Sequence, residues 1–437
     1  MGVDTVTKPK QRMNRRGFLR TVSAAGAAVV AAPYVLTSDA LGRDGKPPAS
    51  DRIVVGAIGT GRQGTGDMRG CMGFKQVQMV AVCDVDRKHA ENAKKHVDGK
   101  YGNSDCKAYG DFREITRRAD IDAIVVGTPD HWHTLPAIDA ARHGKDAYVE
   151  KPLTLTIAEG RALADVVNRY GRILQTGSQQ RSSANFRFGC ELVRNGRIGK
   201  VQKVTVGIPG NNKRCGPTWT PETPPPELDY NFWLGQAKWQ PYHHQRCHYQ
   251  FRFILDYSGG QVTNWGAHHL DIAQWGLGMD SSGPVSVIGK GGFPTTGLFT
   301  TATRVYFECE YANGVTLTCK TGGSGTLFEG TEGSVYVNRG RISTKPESLV
   351  RDTIGPNEIH LYESRSHMGN FLDCVRTRRK AVCNEEVGHR SASVCHLGNI
   401  AMLLGRKVHW DPDAERFVND READSMVSRT MREPWHL

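Results

Sequence analysis

The stretch Gly59-Thr60-Gly61-Arg62-Gln63-Gly64 constrains this chain more than any other. It follows the apolar run 53–58 and precedes a helical pattern, which is the setting in which a G-x-G-x-x-G element carries meaning. The first glycine makes a strand-to-helix turn. The second lets backbone approach a pyrophosphate, and the third lets helix pack on strand. Phosphates then sit at the positive end of the helix dipole. A second buried-strand pattern, 77–83, ends in Asp84, which lies 20 residues beyond Gly64. That is the spacing of a carboxylate that binds the ribose hydroxyls, and it favours NAD over NADP. Arg87 and Lys88 follow closely and suit a 2′-phosphate, so NADP stays open. The structural alternative for Asp84 is a turn or N-cap residue.

Strand and helix patterns alternate from here to residue 176. Residues 121–126 read as a strand ending in Gly127-Thr128-Pro129-Asp130-His131-Trp132-His133, followed by a helix over 135–142. Residues 146–149 form another strand, ending in Glu150-Lys151-Pro152, and a helix over 157–170 and a strand over 173–176 complete the unit. Ligands of doubly wound sheets bind at the carboxyl ends of strands. Thr128, Pro129, His133, Glu150 and Lys151 occupy such ends and join the glycine loop as expected cofactor-site residues. Residues 51–177 are therefore expected to form an α/β Rossmann domain with a doubly wound parallel sheet.

The texture changes near residue 201. Short strand patterns at 201–206, 285–288, 303–310, 315–318 and 333–337 are separated by turn residues such as Ala312-Asn313-Gly314. This predicts an α+β domain over 178–437 with a large, mainly antiparallel open sheet. One helical segment interrupts it at 259–275, where Asn264, His268 and Asp271 share a face at helical spacing. Before it lies a loop rich in proline and aromatic residues, including Trp219, Trp233, Trp239, Tyr242 and Tyr249. Aromatic rings beside polar groups suit a sugar, although ordinary packing explains most such residues. Two helices are expected near 366–378 and 391–404.

The fingerprint, the T-P-x-H-x-H stretch at 128–133 and V-E-K-P-L at 149–153 together resemble the Gfo/Idh/MocA oxidoreductases, the family of glucose-fructose oxidoreductase and inositol dehydrogenase. Each motif alone is weak; in this order and spacing they are specific. The resemblance spans residues 51–437. It implies that Lys151 lies beside the nicotinamide and contacts the reacting hydroxyl, where a cation stabilises a developing alkoxide. The segment at 259–271 resembles the family's G-G-x-x-x-D-x-G-x-H-x-x-D helix and makes His268 the group that takes the hydroxyl proton. The plain alternatives are a turn lysine and a satisfied core histidine. Asn264 replaces the family's usual Asp; an amide can orient the histidine but adds no charge. Arg181, Trp265, His269 and Tyr249 are candidate substrate contacts, with a structural salt bridge the equal alternative for Arg181. The resemblance also implies a homo-oligomer.

The N-terminus carries a separate signal. Asn14-Arg15-Arg16-Gly17-Phe18-Leu19-Arg20 precedes an apolar stretch at 22–35, the form of a twin-arginine export signal. Residues 1–40 are assigned to that signal and 41–50 to a linker, which predicts the export machinery as a partner and a periplasmic destination. The signal also explains part of the net charge of +12, because six cations face only Asp4 in the first 20 residues. The remaining basic cluster at 376–380 falls at a predicted helix end, where cations complement the dipole, so no nucleic-acid partner is expected. The 11 cysteines show no metal or disulfide spacing, and no metal site is assigned. No later apolar run reaches the length of a membrane span.

Three functions fit. The first is NAD(P)-dependent oxidation of a sugar or polyol hydroxyl. The second, implied by an exported branch of the family, is a redox-neutral glycosidase that oxidises C3, eliminates the aglycone, adds water and reduces again. The third is a non-catalytic sugar-binding protein. Export of folded protein to a compartment without free nucleotide implies a cofactor held as a prosthetic group.

Overall fold

The protein is described from a computed structural model over residues 47–211 and 219–437; the twin-arginine motif and its apolar stretch lie outside the described residues. Among the described residues, no helix is long and apolar enough to cross a membrane. Residues Ile53–Leu437 form one compact unit with two sheets.

The first sheet is built from β1 (Ile53–Ile58), β2 (Val77–Cys83), β3 (Lys107–Tyr109), β4 (Ala123–Val126), β5 (Asp146–Val149) and β6 (Leu174–Thr176). All pairs are parallel, in the order β3-β2-β1-β4-β5-β6. β4 and β5 are buried at every position, as strands covered on both faces must be. One covering layer comes from α1 (Arg62–Cys71), α2 (Arg87–Tyr101) and the late helix α7 (His367–Thr377), through Met68, Val97 and Phe371. The opposite layer comes from α3 (Thr134–Arg142) and α4 (Ile157–Arg169), through Leu135, Ile138 and Leu163. Strand order reverses between β1 and β4, and that switch point opens the crevice in which such sheets bind ligands.

The second sheet follows α5 (Ala184–Arg194). It comprises β7 (Val201–Ile208), β8 (Ser286–Gly289), β9 (Tyr306–Glu310), β10 (Thr316–Thr321), β11 (Gly325–Gly330), β12 (Ser334–Asn338), β13 (Arg341–Lys345), β14 (Val408–Asp411) and β15 (Arg416–Phe417). The order is β13-β12-β11-β7-β10-β9-β8-β14-β15, and only β7 and β10 pair in parallel. Its strands alternate. Phe307, Leu317 and Phe328 face α5, α6 (Ala267–Leu277) and α8 (Glu385–Leu404), whereas Ile288 and Tyr306 stay exposed. α8 begins before the expected Ser391 because Asn384 caps it, accepting from the Glu386 and Val387 amides.

Candidate active site

A cleft of about 910 Å³ runs along the carboxyl ends of the parallel strands. One end is made mostly of backbone. Gly59 turns the chain at φ +78°, where other residues are strained. A Cβ on Gly64 would lie 1.8 Å from the Gly59 oxygen, and one on Gly127 would lie 2.4 Å from the Gly64 Cα, so the three glycines let α1 touch the switch point. Gly61 caps α1 without a side chain, and a Cβ there meets nothing within 4 Å. Gly61, Arg62 and Gln63 line the cleft where the first turn of α1 presents its amides. Such a cradle fits a pyrophosphate.

Asp84 is fixed by this loop. Its Oδ2 accepts from the Thr60 amide at 2.7 Å and the Thr60 hydroxyl at 3.3 Å, and its Oδ1 accepts from the Asp86 amide at 2.9 Å. Asp86, not Asp84, caps α2. Asp84 thus lines the cleft with its carboxylate held in place, a geometry that fits ribose hydroxyls. Arg87 pairs with Glu91 and Lys88 with Glu227, so both cations already have carboxylate partners. The long loop is bound to this edge as well. The Arg87 amide donates to the Glu227 oxygen at 2.9 Å, and the Asp229 amide donates to the Val85 oxygen at 2.9 Å. Leu228 and His248 from that loop reach the cleft, with the His248 ring 5.0 Å from His89.

Thr128 and Pro129 follow β4 and line the middle of the cleft. His133 is buried, and its two ring nitrogens lie 2.8 Å from the Pro152 oxygen and 3.0 Å from the Thr128 oxygen. Its side chain therefore holds two strand-end loops together. Glu150 is buried beside Lys151; it accepts from Gln179 Nε2 at 3.1 Å and from the Lys151 amide at 3.2 Å. Burial pushes its carboxyl upward. Burial, with the Glu150 charge, also pushes the neighbouring Asp67 carboxyl up to about 8.

The other end is made of side chains from separate elements. Lys151 Nζ donates to Asn264 Oδ1 at 3.0 Å and to the Asn264 backbone oxygen at 3.3 Å. Gln261 accepts from Asn264 Nδ2 at 3.1 Å, which fixes the amide's orientation. Asn264 sits in a π-helical turn, Val262–Gly266, that leads into α6. That wider turn rotates the face expected from helical spacing. Asn264 consequently orients the lysine rather than the histidine, and Asp271 is fully buried away from the cleft. His268 lines the cleft edge-on to Trp265, and its buried Nδ1 has no protein partner. Burial, followed by the Lys151 and Arg339 charges, pushes His268 well below the usual range, so it is neutral near pH 7. Burial likewise lowers Lys151.

The substrate roles expected for Arg181 and His269 do not match this geometry. Arg181 is 1% exposed; its Nε lies 2.9 Å from both Asp271 carboxylate oxygens, and its NH2 lies 2.7 Å from Asp280. It is the structural alternative. His269 stacks on Trp265 and meets the Ser324 hydroxyl at 3.2 Å outside the cleft; burial lowers it to about 4. Trp265 and the half-exposed Tyr249 do line the cleft. Sequence reasoning missed Gln180 and Arg339. Gln180 is 3% exposed, lines the cleft, and has no partner for either amide atom. Arg339 reaches the cleft from the tip of the β12–β13 hairpin.

The fold and cleft define a two-sheet dinucleotide-binding protein. Residues 53–178 match the oxidoreductase-family NAD-binding Rossmann fold, and residues 190–437 match the C-terminal alpha/beta domain of the same oxidoreductases. The chain belongs to the Gfo/Idh/MocA oxidoreductase family. Among solved structures it is similar to the aldose-aldose oxidoreductase of Caulobacter crescentus complexed with glycerol, with a TM-score of 0.62 at 19% identity over 82% of this chain and 99% of that one. It is also similar to the WlbA dehydrogenase of Bordetella pertussis in complex with NADH and UDP-GlcNAcA, with a TM-score of 0.61 at 17% identity over 82% and 99% of the two chains. Among curated proteins it is 29% identical over 175 residues to an alpha-N-acetylgalactosaminidase of Shewanella oneidensis. That match covers 36% of this chain and 37% of the relative's length.

Proposed function

We propose that the chain oxidises a hydroxyl of a sugar or polyol, using NAD held in the cleft. The observation that carries this reading is the Lys151–Asn264 pair facing His268 where β5 ends, beside the switch point. The cradle residues Gly61, Arg62, Gln63 and Asp84 would hold the dinucleotide, which when bound supplies a two-electron hydride acceptor. Lys151 holds the substrate oxygen and stabilises negative charge on it. Neutral His268 accepts the hydroxyl proton as the C–H bond loses its hydride, leaving a carbonyl. Asn264 keeps the ammonium aimed into the cleft. The Asp84 spacing, with Arg87 and Lys88 already paired, supports NAD over NADP.

The redox-neutral glycosidase is a second reading, supported by the match to the alpha-N-acetylgalactosaminidase. A carbonyl formed at C3 acidifies the neighbouring C–H and permits elimination of the aglycone. The Arg15-Arg16 motif supports export to the periplasm with cofactor already loaded. The open face of the second sheet, with Ile288 and Tyr306 exposed, supports a homo-oligomer. Denaturing extraction of purified protein should release about one nicotinamide nucleotide per chain. Mixing with sugars should then produce reduced cofactor absorbance. Aryl-glycoside cleavage without net absorbance change selects the second reading, and protein that neither retains nor binds a nucleotide sinks both.

A further inference from the structure

The reactive end of the cleft gathers three cations. Lys151, Arg252 and Arg339 all line it, and their fields converge, since Arg252 and Arg339 both act on Lys151 and Arg339 acts on His268. Among the described residues neither arginine is ion-paired to a carboxylate. The Arg252 guanidinium lies 4.6 Å from the Tyr249 ring and donates to the Tyr249 backbone oxygen at 3.0 Å. The Arg339 guanidinium lies 4.8 Å from the Trp265 ring. By contrast, the half-buried Arg161 is clamped by Glu386 and Glu415. Glu150 and Asp130 are the carboxylates at this end of the cleft, and both act on Lys151; Glu150 accepts from Gln179 and the Lys151 amide, Asp130 accepts from the Ser258 hydroxyl, and neither forms an ion pair with Arg252 or Arg339. Gln180 adds a nearly buried amide with neither atom partnered.

An unpaired guanidinium at the mouth of a low-dielectric cleft is a receptor for an anion, and its planar fork matches a carboxylate. We propose that the substrate is a sugar acid, its carboxylate held by Arg339, its ring lying on Trp265 and a hydroxyl bonded to Gln180. This inference rests on the proposed carbohydrate function and narrows it. The dinucleotide phosphates are served by the glycine loop, and the adenosine end has its own acid, Asp84. Arg339 instead enters from the opposite sheet, beside His268.

The test uses full-length, cofactor-loaded protein, titrated calorimetrically with glucose, glucuronate, galactose, galacturonate and glucose 6-phosphate. One of the two acids is expected to bind roughly 10- to 100-fold more tightly than its neutral counterpart. Arg339→Gln should abolish that preference. Arg341→Gln, which removes the same charge from an exposed site outside the cleft, should keep it. Equal affinity for acid and neutral sugar, no binding of either acid, or a preference that survives R339Q overturns the proposal. So does tighter binding of the sugar phosphate, or loss of nucleotide from R339Q on denaturing extraction. Cofactor reduction is read separately by stopped flow. An acid that binds through Arg339 without reducing the cofactor leaves this inference standing and removes the oxidoreductase reading. A neutral sugar that reduces the cofactor while neither acid binds does the reverse.

Discussion

The two ends of the cleft are built on opposite principles. At the glycine loop the cleft wall is backbone, and the polar side chains nearby are already engaged: Asp84 with Thr60, Asp86 with α2, His133 with two carbonyls. At the other end the wall is made of side chains drawn from the segments that follow β5 and β6, the π-turn, α6 and a hairpin tip, and several have no protein partner. Gln180 and His268 Nδ1 are the clearest cases, and the Arg339 guanidinium has an aromatic neighbour but no carboxylate. A satisfied end is set before any ligand arrives. An unsatisfied end carries a desolvation penalty that a matching ligand relieves, which is a source of selectivity.

The contrast can be broken most severely at the glycine loop. Gly64→Ala places a methyl group against the Gly59 carbonyl and the switch point. It should destabilise the fold by about 3 kcal/mol and abolish nucleotide retention, read by thermal melting and denaturing extraction. Retention of a full complement of NAD would show that the backbone contact is not needed. At the reactive end, Lys151→Ala should lower turnover about 10²- to 10³-fold while NAD stays bound. A parallel loss of nucleotide would instead place Lys151 with the cradle. His268→Gln should lower turnover by about 10²-fold. The acid limb of the wild-type rate sharpens this assignment. His268 must be neutral to accept a proton, and its ionisation is pushed well below 6.5. The rate should therefore hold constant as pH falls through 6.5 and drop only at lower pH. An acid limb above 6.5 would mean that another group is the base. Asn264→Asp is the mildest change: a carboxylate would hold Lys151 more firmly as ammonium and alter turnover by about tenfold or less.

The sequence was most legible where local chemistry decides the structure. β1, β2 and β5 fall at the expected residues because parallel strands covered on both faces are mostly apolar runs, broken here only by Gln78 in β2 and Asp146 at the start of β5. The glycine roles at 59 and 64 follow from sterics that no distant residue alters. The second sheet was less legible. β11 is bounded by glycines at both ends, and β13 carries Arg341 and Lys345 at its ends, so neither shows a strong apolar alternation. Arg339 had a usable signal, since Asn338-Arg339-Gly340 at the end of a strand marks a tight hairpin, with Gly340 at φ +71°. Gln180 had none; only the three-dimensional structure shows that nothing answers its amide. The rotation of Asn264 toward Lys151 comes from a π-turn, which spacing at 3.6 residues per turn does not reveal.

The stitch between residues 85–88 and 227–229 has a kinetic meaning. It joins an edge of the parallel sheet to the long loop through two backbone bonds and the Lys88–Glu227 pair, and Leu228 between them forms part of the cleft wall. To widen that wall, all three links must release together. For the nucleotide proposed to reside in the cleft, the dwell time would then be set by the rate of a local opening rather than by the sum of its own contacts. Weakening the stitch would be expected to turn the proposed prosthetic group into an exchangeable co-substrate without altering Lys151 or His268.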